Sequence, residues 1–384
     1  MTLSAANSIA SELPQPLASC WQRLLQAWWS ALRISILAVA MVLAAADRPL
    51  ANTGLIVVAQ ADLPDAPVGE ALTTETPQRP EIPIAEDVGG VLTRRGMLVL
   101  EPSLRAANTS ARRLTFRGIE VVEAVLIGVI EAEDADRNFL EAALTARLGL
   151  TDRLEASVRV SGIYRDDDVS FLIPGVDSPA ESRSIDSFGF GDVEVILNYQ
   201  INQLRAGRPI FVANLRGRFP TGKGPFDVDR DEDGIETELP TGSGFYSIEP
   251  SITTLYPVDP VVFFTNLGYQ WNIERSINKT IAGNRIGKVD PGDAVRASFG
   301  MGFAISDRTS LSLSYSHDYF FKTETEINQQ KLKSSTVQVG SLAIGFSNRF
   351  SDRVRADVSI EIGATANAPD AAVTLRLPIS FNLF

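Results

Sequence analysis

The sequence predicts an all-β fold, a transmembrane antiparallel up-and-down β-barrel, on three observations. First, the chain ends on a segment, residues 372–384, with Val373, Leu375, Leu377, Ile379, Phe381 and Leu383 on one face. Thr374, Arg376, Ser380 and Asn382 fall on the other. A strand has a period of two residues, so this alternation sets one face in an apolar medium and the other in a polar one. Second, the same pattern recurs along the chain from Asn138 onward. Third, tight turns alternate with long polar loops, the layout of an outer-membrane barrel with its turns in the periplasm.

Composition narrows the alternatives. Of the 384 residues 45% are hydrophobic, yet no run of eighteen apolar residues lies outside the amino terminus. A helical multi-span membrane protein is thereby excluded. A formal net charge of −12 speaks against a nucleic-acid partner, which a basic face would announce.

Residues 1–61 read as an export signal. Arg23 and Arg33 precede the apolar run 34–46, and small-residue cleavage patterns place the cut after Ala46 or Ala61. Leu17-Ala18-Ser19-Cys20 spells a lipoprotein box but precedes the apolar run. Cys20 is the only cysteine and either cut removes it, leaving neither a disulfide framework nor thiol chemistry. The expected location is the outer membrane of a Gram-negative cell. The expected partners are its lipid, the barrel-assembly machinery and a small-molecule solute.

Residues 62–95 hold Pro64, Pro67, Pro77, Pro80 and Pro83 among acidic and small residues and read as a flexible periplasmic leader. The barrel is expected over 96–384. Residues 96–108 carry Pro102, which suits an edge or a non-spanning position. Residues 116–131 are apolar on both phases, which suits either a strand or a segment buried in the lumen, and in the strand count they take the first place. Further strands are expected at 138–148, 154–161, 188–201, 209–219, 244–256, 261–274, 293–305, 310–321, 336–350, 354–364 and 372–384.

Parity sets the count. A barrel with both ends in the periplasm needs an even number of strands. Twelve result if 96–108 does not span, ten and fourteen being the neighbouring even counts. In 336–350 the phase slips near Gly340-Ser341, which predicts a β-bulge. Tyr199, Phe219, Tyr246, Tyr256, Tyr269, Trp271, Tyr315, Tyr319 and Phe350 sit near strand ends, where rings form interfacial girdles.

Short motifs add a resemblance. Gly189-Phe190-Gly191-Asp192, Phe219-Pro220-Thr221-Gly222, Leu239-Pro240-Thr241-Gly242-Ser243-Gly244 and Leu148-Gly149-Leu150-Thr151-Asp152-Arg153-Leu154 resemble recurring motifs of the meta-pathway phenol-degradation-like outer-membrane β-barrels, a transporter family. The similarity spans roughly 96–384. It implies a channel for small organic compounds. A related group of channels exports functional-amyloid subunits and carries a periplasmic coiled coil, whereas the Pro-broken leader here shows no heptads.

Catalysis finds little support. His317 is the only histidine, and by phase it falls with Leu311, Leu313 and Tyr315 on the lipid side. A hydroxyl nucleophile needs a base within hydrogen-bond reach. The position where an outer-membrane phospholipase would carry serine, two residues on, is Tyr319. Asp229, Asp231 and Asp233, followed by Gly234, are spaced like the start of a calcium loop. The twelfth position from Asp229 is Pro240 rather than a bidentate Glu, so any Ca2+ would bind weakly and pin an outer loop. No other cofactor is expected.

The inward phase is the candidate functional surface. Its selectivity candidates are Arg147, Arg159, Arg216, Arg218, Glu194, Glu249, Arg296, Arg355, Asp357, Glu361 and Arg376, with loops 166–187 and 221–243 folding inward. Such charges pair across strands in a salt-bridged wall or meet a passing solute, and the sequence leaves both readings open. The leading expectation is a passive channel for small organic, hydrophobic or aromatic, solutes. A secretion or structural barrel and a barrel enzyme are the alternatives.

Overall fold

The structure, a computed structural model, describes residues 92–121, 125–172, 181–203, 208–231, 236–258, 260–281 and 283–383. The expected export signal and the leader up to residue 91 lie outside the described residues. A long hairpin of β1 (Met97–Val121) and β2 (Val125–Thr151) opens the fold, and β3 (Leu154–Leu172) runs back outward. β4 (Glu181–Phe190) and β5 (Val193–Gln200) form one returning strand broken at Gly191-Asp192. β6 (Ile210–Phe219), β7 (Ser247–Val258) and β8 (Val261–Asn272) continue the wall. β9 (Arg275–Ile281) and β10 (Asn284–Asp290) leave it, and β11 (Ala294–Ala304) and β12 (Thr309–Phe320) resume it. β13 (Glu324–Ile327) and β14 (Gln330–Lys333) again stand apart. β15 (Val337–Arg349), β16 (Arg355–Gly363) and a last strand split into β17 (Ala371–Arg376) and β18 (Ile379–Asn382) complete the circuit.

Every wall strand pairs antiparallel with its neighbours, and β1 pairs both with β2 and with β17 and β18. The sheet is therefore closed. Counting β4 with β5 and β17 with β18, it is a twelve-stranded barrel. Two media explain the pattern. On β7, Ile248, Ile252 and Tyr256 are exposed on the outside, whereas Ser247, Glu249 and Thr253 are buried in the lumen. The last strand follows suit, with Val373 and Phe381 exposed and Thr374 and Arg376 buried.

Three expectations are corrected. Residues 96–108 do not lie outside the wall: they belong to β1, which spans and closes the barrel. Pro102 is tolerated because it faces the interruption between β17 and β18, where its carbonyl accepts from Leu377 N at 3.0 Å. Residues 116–131 are not one spanning strand but the two arms of the β1–β2 hairpin, paired Phe116 with Ile130 and Val121 with Val125. The total of twelve stands because one error offsets the other.

Nor is there a bulge at Gly340-Ser341, since β15 pairs with β12 and β16 without a register shift. Gly340 is a blank on the outward phase. A Cβ there would lie 2.7 Å from Tyr315 Oη and 3.1 Å from His317 Nδ1. The gap seats the Tyr315–His317 pair, whose Oη and Nδ1 are 2.9 Å apart.

The segments 275–292 and 322–335, which lie between expected strands, form a second, four-stranded sheet in the order β14-β13-β10-β9. Loop 220–246 packs on it through Phe226 and Phe245, which join Ile286 and Val289 in a buried cluster. Asp227 clamps the two: its Oδ1 accepts from Lys279 Nζ at 2.7 Å and its Oδ2 from Arg275 Nη1 at 3.4 Å. Burial raises the Asp227 pKa, and the two cations outweigh it, so the net shift is downward from 3.8. A depressed carboxyl stabilises the fold above its unfolded pKa and loses that contribution as pH falls through the folded value. Amide exchange of loop 220–231, corrected for intrinsic rates, is therefore expected to accelerate only below about pH 3.8, and Asp227→Asn to abolish that step.

Candidate functional site

The lumen is lined by a belt of ion pairs that follows the strand register. Arg159 on β3 reaches Glu141 on β2 at 3.0 Å and Glu194 on β5 at 3.9 Å, and Arg218 on β6 meets Glu194 at 3.1 Å. Next along the wall, Arg216 bonds Glu249 on β7 at 2.6 Å, and Arg296 on β11 stands 3.7 Å from Glu249 and 3.6 Å from Asp318 on β12. Arg147 pairs with Glu101, Arg105 with Glu361 at 3.2 Å, and Arg355 with Asp357 at 3.1 Å. Carboxylates and guanidiniums removed from bulk water are tolerable when each charge stands beside an opposite one, which the belt provides.

Gly268 makes one crossing possible. It lies in register between Ser251 and Arg296, and a Cβ there would be 3.3 Å from Glu249 Oε1 and 3.0 Å from Ser251 Cβ. Arg296 reaches Glu249 over this bare position. Gly268→Val is expected to separate them and to cost about 1–3 kcal/mol by overpacking, read as a lower urea midpoint of the refolded barrel.

All eleven candidate charges therefore stand on the lumen wall, and ten are members of the belt. The exception is Arg376. It is 9% exposed and makes no ion pair or side-chain hydrogen bond to any described residue. Asp357, its register partner, is taken by Arg355 and by Ser347 Oγ at 2.5 Å. The wall around Arg376 carries the hydroxyls of Ser312, Ser314, Ser359 and Thr374 together with Asp357 and Glu361.

Part of the lumen is apolar. Ile210 and Val212 on β6, Leu255 on β7 and Phe264 on β8 break the polar inward phase close to the periplasmic turns, and Leu92 packs into them as a buried cluster. The segment that carries Leu92 is held to the wall. Thr93 N donates to Glu155 Oε2 at 2.7 Å, and Gly96 N to Gly149 O at 2.9 Å. Gly149 admits the segment, because a Cβ there would be 2.1 Å from Arg94 O. Glu155 also accepts from Asn198 Nδ2 at 2.9 Å.

The wall has a seam that sequence reasoning did not locate. β4 pairs only with β3, and beyond its other edge loop 220–246 stands in for a strand. Thr241 Oγ1 donates to Phe190 O at 2.9 Å and Leu239 N to Ser187 Oγ at 2.7 Å. Asp192 ties the loop ends together: Gly222 N donates to Oδ1 at 3.1 Å, and Ser243 N and Oγ donate to Oδ2 at 2.8 and 2.5 Å. The signal was a repeat, Pro-Thr-Gly-x-Gly at 220–224 and again at 240–244. The two copies pack glycine on glycine, with a Cβ on Gly222 falling 2.7 Å from Gly242 Cα. Loop 221–243 thus folds inward at residues 239–241, whereas 166–172 and 181–187 are strand.

His317 faces outward beside Tyr315, away from the lumen. Of the calcium candidates, Asp229 is exposed beside Lys223 at 3.4 Å, and Asp233 lies outside the described residues. Among the described residues no three His, Cys, Asp or Glu side chains converge to hold a metal.

The family model described as "Putative MetA-pathway of phenol degradation" matches residues 138–381, more than half of the chain. The chain belongs to this family. Among solved structures it is similar to an outer membrane channel from Pseudomonas putida F1, with a TM-score of 0.53 and 15% identity over 78% of this chain and 100% of that one. A monoaromatic hydrocarbon channel, CymD, aligns at a TM-score of 0.36 and 11% identity over 75% of this chain and 88% of that one. At 15% identity the likeness to the Pseudomonas putida channel is one of fold, that of an outer-membrane barrel, and it agrees with the closed twelve-stranded sheet.

Proposed function

We propose that the protein is a passive channel for small organic solutes in the bacterial outer membrane, delivered there through a cleaved signal in residues 1–61, with 62–95 as a periplasmic leader. The observation that carries the reading is the composition of the lumen wall. A charge-matched belt runs beside a local apolar surface, Ile210, Val212, Leu255 and Phe264, at the periplasmic mouth. Among the described residues only one short segment, Leu92 to Gly96, lies across that surface. Polar walls carry water and ions, and an apolar ledge suits a ring or alkyl group.

The belt supports passage rather than reaction. Its carboxylates and guanidiniums are matched to one another. The test is current through the purified protein in planar bilayers, with and without a neutral aromatic alcohol. Ionic current that the alcohol interrupts supports the reading, and the absence of any current sinks it.

A further inference from the structure

We propose that Arg376 is the anchoring point for the acidic group of a small organic anion inside the lumen, so that the transported class includes organic carboxylates. This deepens the channel reading and rests on it.

The argument is one of charge accounting within the barrel. Arg147, Arg159, Arg216, Arg218, Arg296 and Arg355 each have a carboxylate within 4.0 Å. Arg376 has none among the described residues, although it is 9% exposed and two acids line the same hollow. Those acids are already committed. Glu361 is paired with Arg105 at 3.2 Å, and Asp357 with Arg355 at 3.1 Å and with Ser347 Oγ at 2.5 Å. Among the described residues the hollow therefore holds one guanidinium that no carboxylate engages in an ion pair.

Desolvating an arginine without a partner is unfavourable, and a site that does so is complete only with an anion bound. The guanidinium fork matches a carboxylate in two parallel hydrogen bonds, and the surrounding hydroxyls, Ser312, Ser314, Ser359 and Thr374, supply further donors. By strand order β17 stands six places from β7 in either direction around the twelve-stranded circuit, so the apolar ledge lies on the opposite wall. An acid with a small apolar body matches both.

The test uses the full mature chain in planar bilayers with benzoate and benzyl alcohol, which share a ring and differ in charge. Benzoate is expected to interrupt the ionic current at lower concentration than benzyl alcohol. Arg376→Gln should raise the half-blocking benzoate concentration by roughly tenfold or more, the loss of a charged hydrogen-bond pair, and leave benzyl alcohol unchanged. Arg376→Lys should fall between. In a salt gradient the reversal potential of Arg376→Gln should move toward cation preference.

Equal block by the two probes in the wild type, or benzoate block untouched in Arg376→Gln, overturns the proposal while the channel stands. A wild-type protein that passes no ions overturns both. If Arg376→Gln does not assemble into the heat-modifiable barrel, the wild-type ratio of the two probes and the Arg376→Lys value decide the matter.

Discussion

Asp192→Ala is expected to unlock the seam beside β4 and to produce the largest loss of stability of any single polar substitution in the wall. The carboxylate accepts three hydrogen bonds, from Gly222 N, Ser243 N and Ser243 Oγ, and two of the donors are backbone groups with no other acceptor among the described residues. Bonds to a charged acceptor contribute about 1.5–3 kcal/mol each, and stranded donors add their own desolvation penalty. Non-additivity among bonds to one carboxylate keeps the total near about 3–4 kcal/mol. Asn is expected to rescue little. Its amide can accept from Gly222 N through one atom, but the other then directs a donor at Ser243 N. The measurements are the urea midpoint of the refolded barrel and the rate of tryptic cleavage at Lys223, both of which should change together. An unchanged cleavage rate with a lowered midpoint would show that Asp192 stabilises the wall without holding the loop.

The second large effect concerns the periplasmic mouth. Leu92→Gly removes the side chain that fills the cluster of Ile210, Val212, Leu255 and Phe264. Burying a leucine contributes about 1.5–3 kcal/mol, so the segment's hold on the lumen should weaken by roughly tenfold or more. Single-channel recordings are expected to show a correspondingly larger open fraction. Gly149→Val provides an independent route, since its side chain would occupy the place of the Thr93 and Arg94 carbonyls while leaving Leu92 intact. Both variants should behave alike. Current that rises in neither would mean that residues 92–96 do not limit conduction.

What the sequence made legible follows from where two media meet. Val354–Ile362 and Val373–Leu383 alternate because lipid lies on one side and the lumen on the other, and their strands appear within a residue or two of expectation. Around the β1–β2 turn the sequence lacks that contrast. Ile119, Val121, Val125 and Val129 are apolar on both sides of the β1–β2 turn, so two arms of one hairpin read as a single strand. The lumen charges were legible as a set, because a long charged side chain cannot face lipid. Their pairing was not. Register alone would have joined Arg376 to Asp357, and only the three-dimensional placing of Arg355 and Ser347 shows that acid to be taken. The apolar ledge escaped notice for a related reason: Ile210, Val212, Leu255 and Phe264 look like ordinary wall residues until the phase of β6, β7 and β8 is known.

The facing prolines at the closing joint bear on how the barrel avoids other copies of itself during assembly. Before the ends meet, β1 and the last strand are open edges, the feature by which unfinished sheets recruit foreign strands. Pro102 interrupts one edge and Pro378 the other, and neither offers an N–H to a ladder. The joint accordingly forms as two short zippers, four register pairs with β18 and six with β17. An intruding strand from a second molecule meets the same break and gains no long ladder. The correct partner alone turns the break to use, through the bond from Leu377 N to the Pro102 carbonyl.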